Sequence, residues 1–165
     1  MTMIIDGTAG VTFPVVAGSA SAVQASSGRV LQVVQSSITS TSTTTSTSYV
    51  TSGLSVSITP TSSTSKVLVM FAGPTYALNS GGYLGAVAIY NGSTNLISGQ
   101  AGSPTQGNSI ANSSLVYLDS PATTSAVTYA LYMKSEGNSS TTGISWSGIV
   151  TPNPKATLTV MEISA

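Results

Sequence analysis

Asp119 and Glu136 are the two carboxylates best placed to face each other across a cleft, and such a pair is what hydrolysis of a glycosidic bond requires. Both stand at or just beyond the ends of extended segments. No supporting polar constellation accompanies them, so the surroundings favour two solvated loop acids. With loop carbonyls the same pair would make a Ca²⁺ site, but that ion takes roughly six to eight oxygens, and the chain has only four acids, Asp6, Asp119, Glu136 and Glu162. Serine and threonine make up about a third of the 165 residues. A hydroxyl becomes a nucleophile only beside a base. The chain has no histidine, and no lysine is well placed for that task. The absence of cysteine removes thiolate nucleophiles, thiolate metal sites and disulfides together. The expectation is a protein that is not an enzyme, with no catalytic residue, no metal site and no cofactor.

Binding chemistry is better represented. Aromatic side chains on loops are the usual platforms for sugars, and Tyr76, Tyr83 and Trp146 qualify by type. The competing reading is that Tyr83 and Trp146 fill the core. Polar amides stand near them, so Tyr76, Asn79, Asn108, Asn112 and Asn138 are the candidate receptor-facing residues. They belong to loops expected at 73–82, 99–113 and 135–143, rich in glycine, serine and asparagine. Three Asn-X-Ser matches at Asn91, Asn112 and Asn138 are expected by chance in so hydroxyl-rich a chain. Only Arg29, Lys66, Lys134 and Lys155 are basic, and formal net charge is zero. Four scattered cations cannot make the stripe that nucleic acid demands, nor bind an anionic membrane surface.

The elements that carry these residues are legible as strands. Low charge accompanies disorder only when hydrophobicity is also low, whereas 41% of this chain is hydrophobic and its mean hydropathy is +0.32. Leu54, Val56 and Ile58 alternate with Ser55, Ser57 and Thr59, the period-2 pattern of a half-buried strand. Val127, Tyr129, Leu131 and Met133 repeat it. In Lys66–Phe71 the odd positions Val67, Val69 and Phe71 oppose Leu68 and Met70, so both faces are apolar. Val30–Val34 and Tyr83–Tyr90 behave alike. Doubly apolar strands normally lie under helices in parallel sheets, but no 3.6-period segment is present. A second face covered by another subunit is the expected explanation. Asn91-Gly92 predicts a type I′ hairpin between Tyr83–Tyr90 and Thr94–Ser98. The tract Ser36–Ser48 reads equally as a solvated edge strand or long hairpin and as a flexible loop. Dense turn signals indicate an all-β, antiparallel β-sandwich, jelly-roll-like, with an extended N-terminal arm. The arm is expected over 1–28 and the sandwich domain over 29–165. Ile4, Ile5, Val11, Phe13 and Pro14 are too few to form their own core, so they are the candidate assembly contacts. The start lacks a basic n-region and a long apolar core, so no signal peptide is expected. No apolar run approaches a transmembrane helix.

Several segments also carry a family likeness. Ile5-Asp6-Gly7-Thr8-Ala9-Gly10-Val11-Thr12-Phe13-Pro14 resembles the opening of many phage tail-fibre and virion structural proteins. Gly28-Arg29-Val30-Leu31-Gln32-Val33-Val34-Gln35 is similar to the start of a β-sandwich module in such proteins. Ser48 to Pro60, Ser65-Lys66-Val67-Leu68-Val69 and the ending Leu158-Thr159-Val160-Met161-Glu162-Ile163 continue the likeness in the same order. The resemblance implies a homotrimeric, broadly jelly-roll sandwich displayed on a virion. It further implies either a capsid decoration (cement) protein bound to the major capsid protein or the distal domain of a tail fibre or tailspike. The second would bind a host-surface glycan. A fibre needs a shaft, and the chain has neither heptads nor a β-helical period. Cement on the capsid exterior is therefore expected ahead of a tail location.

Overall fold

The computed structural model describes residues 4–6, 10–12, 28–78, 85–101, 109–137, 140–145 and 154–165, the first two segments as backbone only. Strands, and no helix, form the regular structure of these residues. Within the segment expected as an arm, β1 (Ile4–Asp6) and β2 (Gly10–Thr12) pair antiparallel with Ile5 opposite Val11. They form a two-stranded sheet of their own. Phe13 and Pro14 lie outside the described residues.

Ten further strands make the sandwich. They are β3 (Val30–Ile38), β4 (Ser42–Thr44), β5 (Val50–Ile58), β6 (Lys66–Leu78), β7 (Gly85–Asn91), β8 (Thr94–Ala101), β9 (Ser109–Asp119), β10 (Val127–Ser135), β11 (Thr141–Ile144) and β12 (Ala156–Ile163). Sheet I runs β3-β12-β6 and continues to β9 on the far side of β6. Along its second half β6 exchanges β12 for β11, which pairs in turn with β4. Sheet II has the order β5-β10-β7-β8. Set β1, β2, β4 and β11 aside, and the remaining eight pair first with last (β3–β12), second with seventh (β5–β10), third with sixth (β6–β9) and fourth with fifth (β7–β8). A long hairpin rolled up on itself gives this nested pairing, and that is a jelly roll. The expected fold class is what the chain adopts.

Period-2 alternation decides which side chains meet between the sheets. Leu54, Val56 and Ile58 of β5 and Val127, Tyr129, Leu131 and Met133 of β10 are buried. From sheet I, Val67, Val69, Phe71, Leu115, Leu158 and Val160 meet them in one core. The hydroxyl tract divides. Its first residues complete β3, and Ser42–Thr44 makes the short edge strand β4 beside β11.

The β7–β8 hairpin forms as expected, but its turn differs from the expected one. Asn91 belongs to β7 and pairs with Thr94, so Gly92 and Ser93 are the loop. Gly92 takes a positive φ of 57°, and Asn91 and Ser93 do not. Glycine at the first central position with φ > 0 marks a type II′ turn, not type I′. Asn91 has a tertiary partner instead, donating from Nδ2 to Asp119 Oδ2 at 3.0 Å.

Candidate functional site

Sheet I presents its outer face without a covering element among the described strands. Registers across β3, β12, β6 and β9 place Val33, Met161, Leu68 and Leu118 in one row. Gln35, Thr159, Met70 and Val116 form the next. These positions alternate with the core residues, so they point away from sheet II. Val33 and Val116 are each 54% exposed and Leu118 48%, with Leu31 beside them at 40%. Leu68, Met70 and Met161 are half-buried. Edge strands are normally guarded by lysine or proline, yet the body of β9 is Ile-Ala-Asn-Ser-Ser-Leu-Val-Tyr-Leu with its lone charge at the end, Asp119. Together these side chains make a contiguous aliphatic face. The doubly apolar reading of Lys66–Phe71 is correct in its geometry: Val67, Val69 and Phe71 turn inward, Leu68 and Met70 outward.

Farther along the same face the chemistry turns polar. Where β6 passes from β12 to β11, a cleft of about 480 Å³ opens. Its floor is Ala72, Gly73 and Pro74, and Asn112, Lys155 and Thr157 stand on its walls. Ser145, buried and at φ 59°, ties Pro74 to Pro154, which also lines the cleft. Its N–H donates to the Pro74 carbonyl at 3.1 Å, and its hydroxyl reaches the carbonyls of Pro154 at 2.8 Å and Ile38 at 3.2 Å. A left-handed non-glycine residue is costly unless its surroundings over-determine it, and these bonds do so.

The sequence-derived receptor residues separate in space. Asn112 is exposed on β9 at the cleft. Asn79, Asn108 and Asn138 lie outside the described residues, as do Tyr83 and Trp146. Tyr76 requires a correction: it sits within β6, not in a loop, and is 1% exposed. Its ring lies over Gly143, its partner across the β6–β11 pair. Burial raises its hydroxyl pKa above the ordinary value. A Cβ at Gly143 would press into that ring, with Tyr76 Cε1 at 2.6 Å. Gly143→Ala is therefore expected to destabilise the fold by about 1–3 kcal/mol through overpacking, measured as a lower urea midpoint. An unchanged midpoint would mean that the ring has room to move.

The carboxylate pair does not converge. Asp119 accepts hydrogen bonds from the Tyr129 hydroxyl at 2.8 Å, from Asn91 at 3.0 Å and from the Ser120 N–H at 2.8 Å. Burial, then the bond to Asp119, raises the Tyr129 pKa, so its proton stays on the phenol and in that bond. Glu136 follows the opposite end of β10 and pairs with Lys134 at 3.0 Å. Roughly 24 Å of chain separates Tyr129 from Glu136 at about 3.4 Å per residue, whereas hydrolytic pairs stand roughly 5–10 Å apart.

Two features escaped sequence reasoning. Glu162 is fully buried, although it reads as one more acid near the end of the chain. The second is a cluster of Tyr49, Tyr90 and Tyr132 on the outer face of sheet II. Alternation alone would have placed Tyr90 and Tyr132 opposite the inward Ile89 and Leu131, and that was the available signal.

No family model matches the chain, and no curated protein matches it in sequence. Among solved structures it is similar to the VP2 subviral particle of infectious bursal disease virus, with TM-score 0.41 and 12% identity over 82% of this chain and 38% of that one. For the T13 IBDV viral particle the values are TM-score 0.42 and 11% identity, over 81% of this chain and 37% of that one. This chain thus spans less than two-fifths of the length of those proteins. At such scores the likeness carries no argument about function, and the jelly-roll assignment rests on the strand pairing described above.

Proposed function

We propose that this protein is a structural component of a virus particle, a trimeric decoration (cement) protein that binds the assembled phage head from outside and stabilises it. The observation that carries the reading is the aliphatic outer face of sheet I on a jelly roll whose charges are too sparse to steer it elsewhere. Burial of that face against other copies removes several large apolar side chains from water. The family resemblance of the segments from Ile5 to Ile163 supplies the virion setting and the number of copies, three. Residues 29–165 act as the head of the molecule and 1–28 as the arm. Ile4, Ile5, Val11, Phe13 and Pro14 contact the major capsid protein across capsomer junctions. A protein that binds the assembled shell better than its loose subunits stabilises the shell by mass action, with no catalytic step and no cofactor. Charge is so scarce that this attachment depends little on salt.

The alternative within the same family resemblance is the distal domain of a tail fibre or tailspike that binds a host glycan. Gold-labelled antibody on intact particles of the encoding virus, viewed by electron microscopy, separates the two. Signal over the whole head is the expected result. Signal confined to the tail overturns the cement reading.

A further inference from the structure

The outer face of sheet II is built from different chemistry than that of sheet I. The Tyr90 and Tyr132 rings stack with centroids 4.2 Å apart at 32°. Tyr49 meets Tyr90 edge-on, at 5.8 Å and 60°. Lys134 Nζ lies 5.1 Å from the centre of the Tyr49 ring and 3.0 Å from Glu136 Oε1. All three tyrosines are half-exposed.

The register places small residues beside the rings. Tyr132 stands opposite Ala88, and Lys134 opposite Ala86. Both alanines point away from the core, yet they are only 0% and 8% exposed, beside these long side chains. The result is an aromatic shelf in which Tyr90 and Tyr132 stand on the central strands β7 and β10, and Tyr49 immediately precedes the edge strand β5.

A polar rim surrounds it on the same face. The row through Tyr132 reads Thr51, Tyr132, Ala88, Ser98, and the row through Tyr90 reads Ser55, Ala130, Tyr90, Asn95. Gln100 stands beyond Ala86. Thr51, Ser55, Asn95, Ser98 and Gln100 are all exposed. The one cation of the shelf is neutralised by Glu136, so the surface offers no net charge.

A sugar ring has an apolar C–H face and an edge of hydroxyls. It is bound by a flat aromatic side chain beneath and by amides and hydroxyls at the sides. The aliphatic side chains that would make this a second protein–protein face are on sheet I. An anionic chain would need an unpaired cation, and Lys134 is paired.

We infer that the tyrosine shelf of sheet II, Tyr49, Tyr90 and Tyr132 with its hydroxyl and amide rim, is a binding site for a neutral polysaccharide. The site is separate from the self-association face and stands whether the protein sits on a head or on a tail.

The test is frontal retention of the purified full chain on columns bearing dextran, mannan or mixed-linkage β-glucan, with alginate as the anionic comparison. Retention on at least one neutral polymer is expected. Tyr90→Ala and Tyr132→Ala should weaken it roughly tenfold each, the order of one aromatic contact. Tyr132→Phe should retain most of it because the ring remains. Circular dichroism melting confirms that each variant is folded, and light scattering reports its self-association. Four outcomes overturn the inference: no retention on any neutral polymer, retention on alginate alone, equal retention of folded alanine variants, or loss of self-association in those variants. The last would make the shelf a protein interface. Failure of the assembly reading is registered separately, because a wild-type monomer can still be retained on the column.

Discussion

Glu162→Ala is expected to lower the stability of the folded chain by about 3 kcal/mol, more than a surface glutamate should. Glu162 is 0% exposed, and among the described residues no cation pairs with it. It accepts from Gln32 Nε2 at 2.7 Å on one oxygen, and from the Thr61 N–H at 2.8 Å and the Thr61 hydroxyl at 2.7 Å on the other. Gln32 Nε2 also donates to the Thr59 carbonyl at 2.7 Å. Glu162 therefore pins the connection between β5 and β6, where the chain crosses from sheet II to sheet I, onto β12 and β3. Truncation leaves those donors without their acceptor in a partly dry site, where hydrogen bonds to a charged group carry most weight. Glu162→Gln keeps the volume and one acceptor oxygen, so its loss should be smaller. Equal urea midpoints for wild type and Glu162→Ala would show that water replaces the carboxylate at no cost.

The same residue sets an acid limit. Burial opposes the charge, but hydrogen bonds from Gln32, Thr61 and Ser65 outweigh it and hold the carboxyl down at about 2, against an ordinary 4.5. Because the folded value is the lower, the unfolded chain takes up the proton first. The contribution of the carboxylate is whole above about 4.5 and is lost as pH falls from there to about 2. Urea midpoints measured from pH 6 to about 2.5 should fall steeply in wild type and less steeply in Glu162→Gln. Parallel curves would place the acid sensitivity in another group.

The second large effect is on assembly. Val116→Lys combined with Leu118→Lys should leave the melting temperature of the subunit nearly unchanged while reducing the assembled protein to monomers. Both side chains are about half exposed on β9, an edge of sheet I, where lysine is well tolerated and surface substitutions usually fall within about 0.5 kcal/mol. In an assembled state the same ammonium groups would be buried among Leu68, Met70 and Met161 without partners, and uncompensated buried charge is strongly unfavourable. Light scattering after size-exclusion chromatography reads the outcome directly. A wild-type protein that runs as a monomer, or a double variant that stays assembled, would remove the aliphatic face from the assembly reading.

Much of this was written locally in the chain. Alternation over Leu54–Thr59 and Val127–Met133 identified the strands and their inward faces, because a strand can be half-buried only if every second residue is apolar. The two-sided pattern of Lys66–Phe71 likewise announced an apolar outer face. Sparse charge and the absence of histidine and cysteine bound the chemistry through composition alone. The candidate sites were less legible. Tyr76 follows Gly73-Pro74, a turn signal that β6 overrides by continuing to Leu78 with β9 along its whole length. Asn91-Gly92 marked the hairpin, but β7 kept Asn91 as a paired residue and moved the turn by one.

Composition and period-2 spacing by themselves determined that this chain is an all-β sandwich and that the strand Lys66–Phe71 is apolar on both sides. These are properties of neighbours a few residues apart. Only the tertiary structure decided which strands are neighbours, and so which distant side chains meet. Tyr90 on β7, Tyr132 on β10 and Tyr49 at the start of β5 meet because the jelly roll places β10 between β5 and β7. Glu162 finds Thr61 across 101 residues of sequence. Contacts at such separations depend on strand order and register, which no local pattern encodes.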